Sequence, residues 1–475
     1  MTLARIAASL AAGAGLLAIG LAGAAAVTVI GNGVLTTSPE AWTTEVRVLG
    51  RTVALNVLGL VRLATAPGVA LLVEGRAVNT RMGRVEFRRE GVALIARCAP
   101  CRLEHPALAS TPLVIDRIEL AAERSGSVIN GWVSAGGLQI DYTAELAPER
   151  IVLRWHLPPA ELARAYHAIA SIVPEAQLAR IDGRFEARGR IELPRRTGSV
   201  QLTLNGVEVG GLGTEALQSG WFAMACRQAD GVAQRVVTGD SELRWVPLDR
   251  MGTLPSAVIA AEDQRFYGHP GFDEAEIGPL LASLDASGRG RGASTLTQQL
   301  ARTLFTGGER TAARKLREFL YAVEMERTLG KARILELYLN TVDWGPGLCG
   351  ARAASRTYFR KRPDQLTPLE SAWLAGILRA PHTAYEQQYR AGHPDAARAQ
   401  VVLLQMRSLP KAERERWARR LLVLAQPVAA PEGRRAAGSA HRHTDRDAAV
   451  AKAAVETAVA PRDRSGAVRT AAVVR

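Results

Sequence analysis

Hydrophobic periodicity changes once along this chain, near residue 236, and the change divides it into two unlike folding units. Before it the period is two. Leu138, Ile140, Tyr142, Ala144 and Leu146 alternate with Gln139, Asp141, Thr143 and Glu145, which sends the two sets to opposite faces of a strand. Ile151, Leu153, Trp155 and Leu157 repeat the pattern, as do Val200, Leu202 and Leu204. Pro148-Glu149, Asp182-Gly183 and Asn205-Gly206 read as turns between strands. A helix over roughly residues 159–172 interrupts them, with Pro159 at its start and Pro174 as its stop. Half-polar strands of this kind predict an antiparallel sheet or sandwich with one wet face.

After residue 236 the period is helical. Ser256–Ala261, Thr295–Phe305, Ile334–Asn340 and Glu370–Leu378 read as helices. Leu316, Phe319, Leu320 and Val323 fall at i, i+3, i+4 and i+7, the spacing of a buried stripe. Arg314, Arg317 and Glu318, with Arg310 if the helix reaches back to it, are expected on the opposite side of that helix.

The two ends differ from both units. Residues 6–39 carry no charge, and Ile6–Ile30 is almost wholly apolar or small, long enough to span a bilayer. Arg5 on the N-terminal side predicts a cytoplasmic N-terminus with the bulk of the chain across the membrane. The competing reading is a cleaved signal peptide, for which Ala24-Ala25-Ala26 supplies a small-residue site. The last fifty or so residues, rich in Ala, Arg, Pro and Gly, read as a disordered basic tail. The expected architecture is therefore α+β and multidomain: an N-terminal transmembrane helix in 1–40, an antiparallel β-rich module over 41–235, a mostly α domain over 236–425 and a tail over 426–475.

A net charge of +14 suits an anionic partner such as nucleic acid, an acidic headgroup or a pyrophosphate. Aromatic residues make up only 5% of the chain, without a stacking pattern, and no zinc-finger or helix-turn-helix signature occurs, so no nucleic-acid partner is expected. Cys98-Ala-Pro-Cys101 reads as a structural disulfide, permitted in an exported chain, while Cys226 and Cys349 stand isolated. No second ligand pair is spaced for zinc.

Three segments carry the chemistry. Glu262-Asp263 follows the apolar run Val258-Ile259-Ala260-Ala261, where a part-desolvated glutamate would act as a general base. An ordinary ion pair with Arg265 is the bland alternative. His269 reads as a hydrogen-bonded structural residue. Ser294, Thr297, Gln298 and Gln299 offer hydroxyls and amides at a helix start, suited to sugar hydroxyls or phosphate oxygens and equally to capping. Arg302, Arg310, Arg314, Lys315 and Arg317 form the densest basic cluster of this half. Arginine forks suit a pyrophosphate leaving group, and the alternative is a solvated face with an Arg314–Glu318 pair.

Taken in order, these segments resemble the peptidoglycan glycosyltransferase domain of monofunctional transglycosylases and class A penicillin-binding proteins. The shared pattern is Glu262-Asp-x-x-Phe266-x-x-His269-x-Gly271, Gly292-Ala-Ser294-Thr295-x-Thr297-Gln298-Gln299-Leu, Arg314-Lys315-x-x-Glu318 and Lys331-x-x-Ile334-Leu335-Glu336-x-Tyr338-Leu339-Asn340. The resemblance covers a little over a third of the chain. It implies a lysozyme-like helical fold and polymerisation of lipid II into glycan strands. It makes Glu262 and Glu318 catalytic, Glu262 as the base and Glu318 on the pyrophosphate side. It makes Asp263, Ser294, Gln298, Gln299, Arg302, Arg310, Arg314, Lys315 and Arg317 substrate-binding. It further implies an inner-membrane location with a periplasmic bulk, with lipid II, the growing lipid-linked glycan and cell-wall synthesis proteins as partners. The one cofactor the resemblance leaves open is a divalent cation at the pyrophosphate, though this sequence shows no dedicated cage.

Departures from the family pattern are Arg302 in place of lysine, Ala293 and Thr303 in place of glycine and asparagine, and the loop Asp343–Gly350. No Ser-x-x-Lys with a later Lys-Thr-Gly follows residue 410, so a transpeptidase domain is not expected. Two rival functions share these residues: a non-catalytic envelope scaffold or lipid-binding protein, and a lysozyme-like glycan-cleaving enzyme. The cation cluster argues against the second, since cleavage of finished glycan has no pyrophosphate leaving group.

Overall fold

The structure, a computed structural model, describes residues 43–48, 51–66, 69–147, 150–193, 197–218, 222–227, 233–237, 245–273, 294–426 and 472–473. The expected anchor, nearly all of the expected tail, and Gly292 and Ala293 lie outside these. Among the described residues no helix is long and apolar enough to cross a membrane.

The first unit is built on one antiparallel sheet of nine strands. After a separate hairpin, β1 (Thr43–Val48) with β2 (Arg51–Asn56), and the short helices α1 (Val57–Ala64) and α2 (Val69–Val73), come β3 (Ala77–Thr80), β4 (Gly83–Glu90) and β5 (Ala93–Cys98). A small hairpin of β6 (Cys101–Leu103) and β7 (Leu113–Ile115) intervenes, and the sheet resumes with β8 (Ile118–Ser125), β9 (Val128–Ala135), β10 (Leu138–Leu146), β11 (Ile151–Glu161), β12 (Arg180–Leu193) and β13 (Thr197–Gly210). The spatial order runs from β13 down to β8, then β5, β4 and β3. Cys98 and Cys101 form the expected disulfide at the root of the small hairpin. Cys349, isolated in sequence, is disulfide-bonded as well.

The alternation of β10 holds: Ala144 and Leu146 are buried, and Gln139, Asp141 and Glu145 face water. Two expected turns are corrected. Asp182-Gly183 lies inside β12 and Asn205-Gly206 inside β13, where the pairing register shifts. The glycines take φ of 112° and 60° there, which a bulge needs as much as a turn does. The expected helix at 159–172 shrinks to α3 (Leu162–Ala168), because β11 runs on through Pro158-Pro159 across another register shift.

The second unit contains α4 (Leu254–Glu262), α5 (Leu296–Ala301), α6 (Ala312–Thr341), α7 (Ala351–Phe359), α8 (Pro368–Ile377), α9 (Pro381–Ala384), α10 (Ala396–Gln405) and α11 (Lys411–Ala418). Capping boxes start α5 at Thr295 with Gln298 and α8 at Thr367 with Glu370. Helix α6 is interrupted once, at Gly330, whose φ of 71° is unfavourable for a residue with a side chain. Its second half fills the centre of a core with Leu254, Val258, Leu300, Trp344, Tyr358 and Trp373.

The first half of α6 packs differently. Leu320 and Val323 are buried and Leu316 and Phe319 half-buried, as the stripe predicts, but the core they join belongs to the β-rich module. That core runs from Val85 and Phe87 through Tyr166 and Val173 to Leu320. The backbone N–H groups of Ala312 and Ala313 donate to the carbonyls of Ala107 and Leu108, tying the start of α6 to the small hairpin. Residues 236–425 thus do not enclose their own apolar surface. We expect Leu320→Ala to destabilise the full chain by about 2–5 kcal/mol. In a fragment of residues 236–425 the same change should cost less than about 1 kcal/mol, because Leu320 is already wet there. Denaturant unfolding of the four proteins checks this.

Candidate active site

Helix α4 buries Leu254, Ala257 and Val258 and ends at Glu262, so the carboxylate stands where the apolar helix stops. A groove of 540 Å³ opens there, lined by Glu262, Asp263, Arg265, Ser294, Thr295 and Arg407 among others. Gln299 Nε2 donates to Glu262 Oε2 at 3.1 Å. The Tyr338 hydroxyl donates to Gln299 Oε1 at 2.9 Å, which fixes the orientation of the amide. Burial pushes the Tyr338 hydroxyl well above the usual tyrosine range and keeps it a donor. Burial likewise raises the Glu262 carboxyl above the usual glutamate value; the Gln299 hydrogen bond and the charges of Arg398, Arg302 and Arg379 pull it back only in part.

The second centre forms at the start of α6, where the Thr311 side chain caps the helix by accepting from the Arg314 N–H. Glu318 is fully buried. The Arg314 guanidinium bonds its Oε1, and Lys315 Nζ lies 2.7 Å from its Oε2. The same ammonium donates to the Ser294 hydroxyl. Burial lowers the Lys315 pKa, and Glu318 opposes that shift. Ser294 joins the two centres, since Gln299 Nε2 also reaches its carbonyl at 3.3 Å. The polar chain runs Glu262, Gln299, Ser294, Lys315, Glu318, Arg314 without a gap.

Six of the expected residues are thereby brought together. Arg302 and Arg310 are exposed and form no ion pair among the described residues, which leaves their charge open to an anion. His269 holds the structural place expected of it, its Nε2 against Asp263 at 3.0 Å and its Nδ1 accepting from Gly271 N–H. The ion pair of Arg265 is with Asp273, which leaves Glu262 free of it.

Four expectations change. Asp263 borders the groove but is buried; its oxygens accept from His269 and from the first N–H of α5, at Leu296, so it holds the wall in place. Gln298 is spent on the capping box with Thr295. Arg317 turns away from the site and pairs with Glu175 of the β-rich module. Glu318 does not face outward: it is buried, and its oxygens are taken up by Arg314 and Lys315, so it orients those cations. For Asp263 and Arg317 the deciding partners, Leu296 and Glu175, are remote in sequence; Gln298 and Glu318 take the local alternatives of capping and of an i,i+4 ion pair.

The sequence reading missed Tyr338 as the group that orients Gln299, and the arginines Arg379, Arg398 and Arg407. The Arg398 Nε is enclosed without a hydrogen-bond partner. These three are isolated arginines in a chain rich in them, and nothing local marks them. A second groove, of 660 Å³, lies on the wet face of the sheet, lined by Thr143, Arg154, His156, Arg188 and Gln201 among others. Along this face Arg154 pairs with Glu145, His156 with Glu186, and Arg188 donates to Gln201.

The transglycosylase family model matches residues 230–407. A biosynthetic peptidoglycan transglycosylase of Shewanella amazonensis is 45% identical over 173 residues, 36% of this chain and 69% of that protein. One of Aeromonas hydrophila is 49% identical over 138 residues, 29% of this chain and 59% of that protein. Penicillin-binding protein 2D of Bacillus subtilis is 47% identical over 139 residues, 29% of this chain but only 20% of that longer protein. All the residues of the polar chain from Glu262 to Glu318 fall inside the matched segment, and this chain belongs to the peptidoglycan transglycosylase family.

Proposed function

We propose that this chain is a peptidoglycan glycosyltransferase that polymerises lipid II, with Glu262 as the general base. The observation that carries the reading is the contrast between its two carboxylates. Glu262 keeps a raised pKa and one neutral donor, so it can accept a proton; Glu318 is saturated by cations. The acceptor's sugar 4-hydroxyl gives its proton to Glu262 while its oxygen attacks the donor's anomeric carbon from the face opposite the pyrophosphate. The bond from that carbon to the pyrophosphate oxygen breaks, the electron pair leaves with the lipid pyrophosphate, and the configuration inverts. Arg302, Arg310, Arg314 and Lys315 meet the charge that develops on the leaving group. Among the described residues no three His, Cys, Asp or Glu side chains gather as metal ligands.

Such a substrate is confined to a membrane, so the reading places the protein in the cell envelope. A single-pass anchor in residues 1–40 with the rest periplasmic would keep the groove beside the lipid carrier. Other cell-wall synthesis proteins are the natural partners.

Glu262→Gln preserves shape and removes proton acceptance, so lipid II polymerisation should fall by about two to four decades. Stability should not fall with it. The raised pKa means that the folded state disfavours the charged form, a cost present above the folded pKa and removed by a neutral amide. The Tm at pH 7.5 should equal or exceed that of the wild type; gels of glycan chains and thermal melts check the two halves. Arg302→Ala and Arg310→Ala should each cost about 1.5–3 kcal/mol in kcat/KM, as loss of a charged hydrogen bond does. Silence of both in steady-state kinetics would make the cluster a solvated face.

A further inference from the structure

The helix that presents Lys315 and Glu318 to the groove is gripped on another side by the β-rich module. Glu175, 4% exposed, sits in the turn Pro174–Gln177 that follows α3. Its two oxygens lie 2.8 and 2.9 Å from Arg317 Nε, and Oε1 lies 2.7 Å from a terminal guanidinium nitrogen. The Tyr166 hydroxyl, from α3, donates to the Leu316 carbonyl at 3.0 Å. Further along α6, Glu324 is fully buried and accepts from three successive N–H groups of the module, those of Leu212, Gly213 and Thr214, at 2.8 to 3.3 Å. These contacts bracket Glu318 in sequence, and the nearest two are to Arg317, just before it, and to Leu316, two residues before it.

Adjacent residues on a helix are about 100° apart around the axis, so a clamp on Arg317 sets the roll of α6 and with it the direction of Glu318. A roll of about 15° moves an atom about 6 Å from the axis by roughly 1.5 Å. A misplacement of about 1 Å can cost about a hundredfold in rate. The partner of Arg317 lies 142 residues away in the β-rich module, outside the segment that resembles the family, so the clamp comes from that module.

We propose that Glu175 is a positioning residue for glycosyl transfer: through Arg317 the β-rich module fixes the roll of α6 and so holds Lys315, Arg314 and Glu318 in register with Glu262. The proposal rests on the reading of the Lys315–Glu318–Arg314 set as the pyrophosphate site. It gives residues 41–235 a part in the rate of the reaction, beyond the covering of an apolar stripe.

The test uses the full chain in detergent with labelled lipid II, comparing wild type, Glu175→Gln and Tyr166→Phe well below their melting temperatures. Glu175→Gln should lower kcat about tenfold or more with KM within about threefold, because the cations still bind but no longer meet the transition state. Tyr166→Phe, which removes one hydroxyl and little volume, should lower kcat by about two- to fivefold. A merely structural role would lower the Tm and leave both constants of the folded enzyme alone. Folded Glu175→Gln with kcat within twofold of wild type overturns the proposal. Should Glu175→Gln fail to fold, Tyr166→Phe decides, a reduced kcat supporting the proposal and an unchanged one overturning it. A wild type that makes no polymer would instead overturn the functional assignment beneath it.

Discussion

Helix α6 carries two fully buried carboxylates, Glu318 and Glu324, and a third that is part-buried, Glu326, and their partners lie on different sides of it. Glu318 takes Arg314 and Lys315. Glu324 takes the N–H groups of residues 212–214. Glu326 takes the Thr297 hydroxyl at 2.6 Å and Lys331 at 2.8 Å. Each partner leads to a different region: the groove, the β-rich module, and the wall built by α5 and the segment from Phe266 to His269, whose carbonyl and ring also receive Lys331. Removing one partner of a buried charge commonly costs about 3–5 kcal/mol, so these contacts hold three parts of the molecule to one helix.

Seen from that helix, the two glutamates of the site are opposite solutions to one electrostatic problem. Glu318 is enclosed, with Arg314 and Lys315 on its two oxygens, which fixes the cations around it. Glu262 stands at a helix end with a single amide donor and more distant arginines, which leaves its charged form short of support. The first arrangement shapes a cationic surface for a leaving group, and the second leaves a carboxylate ready to take a proton. Ser294 lies between them and registers one against the other.

Much of this was legible in the sequence where the signal is local. The alternation of β10, the stripe on α6, the disulfide Cys98–Cys101 and the ordered motifs around Glu262 all report short-range patterns. What failed depends on remote partners. Asp182-Gly183 and Asn205-Gly206 carry turn chemistry, yet they lie directly across the sheet from each other and become bulges. Arg317 looks like one more cation of a basic cluster until the turn Pro174–Gln177 brings Glu175 against it. The stripe was visible, but the identity of what covers it was not. Arg379, Arg398 and Arg407 gather near Glu262 only through the packing of α8 and α10 against α4.

The claim on which the account turns is the state of the Glu262 carboxyl, and its protonation can be read directly. Difference infrared titration of wild type against Glu262→Gln isolates the carboxyl band of this one residue. The account predicts a midpoint above that of an ordinary glutamate, with the acid limb of the polymerisation rate following the same midpoint. A carboxyl that titrates at or below the ordinary glutamate value would contradict it.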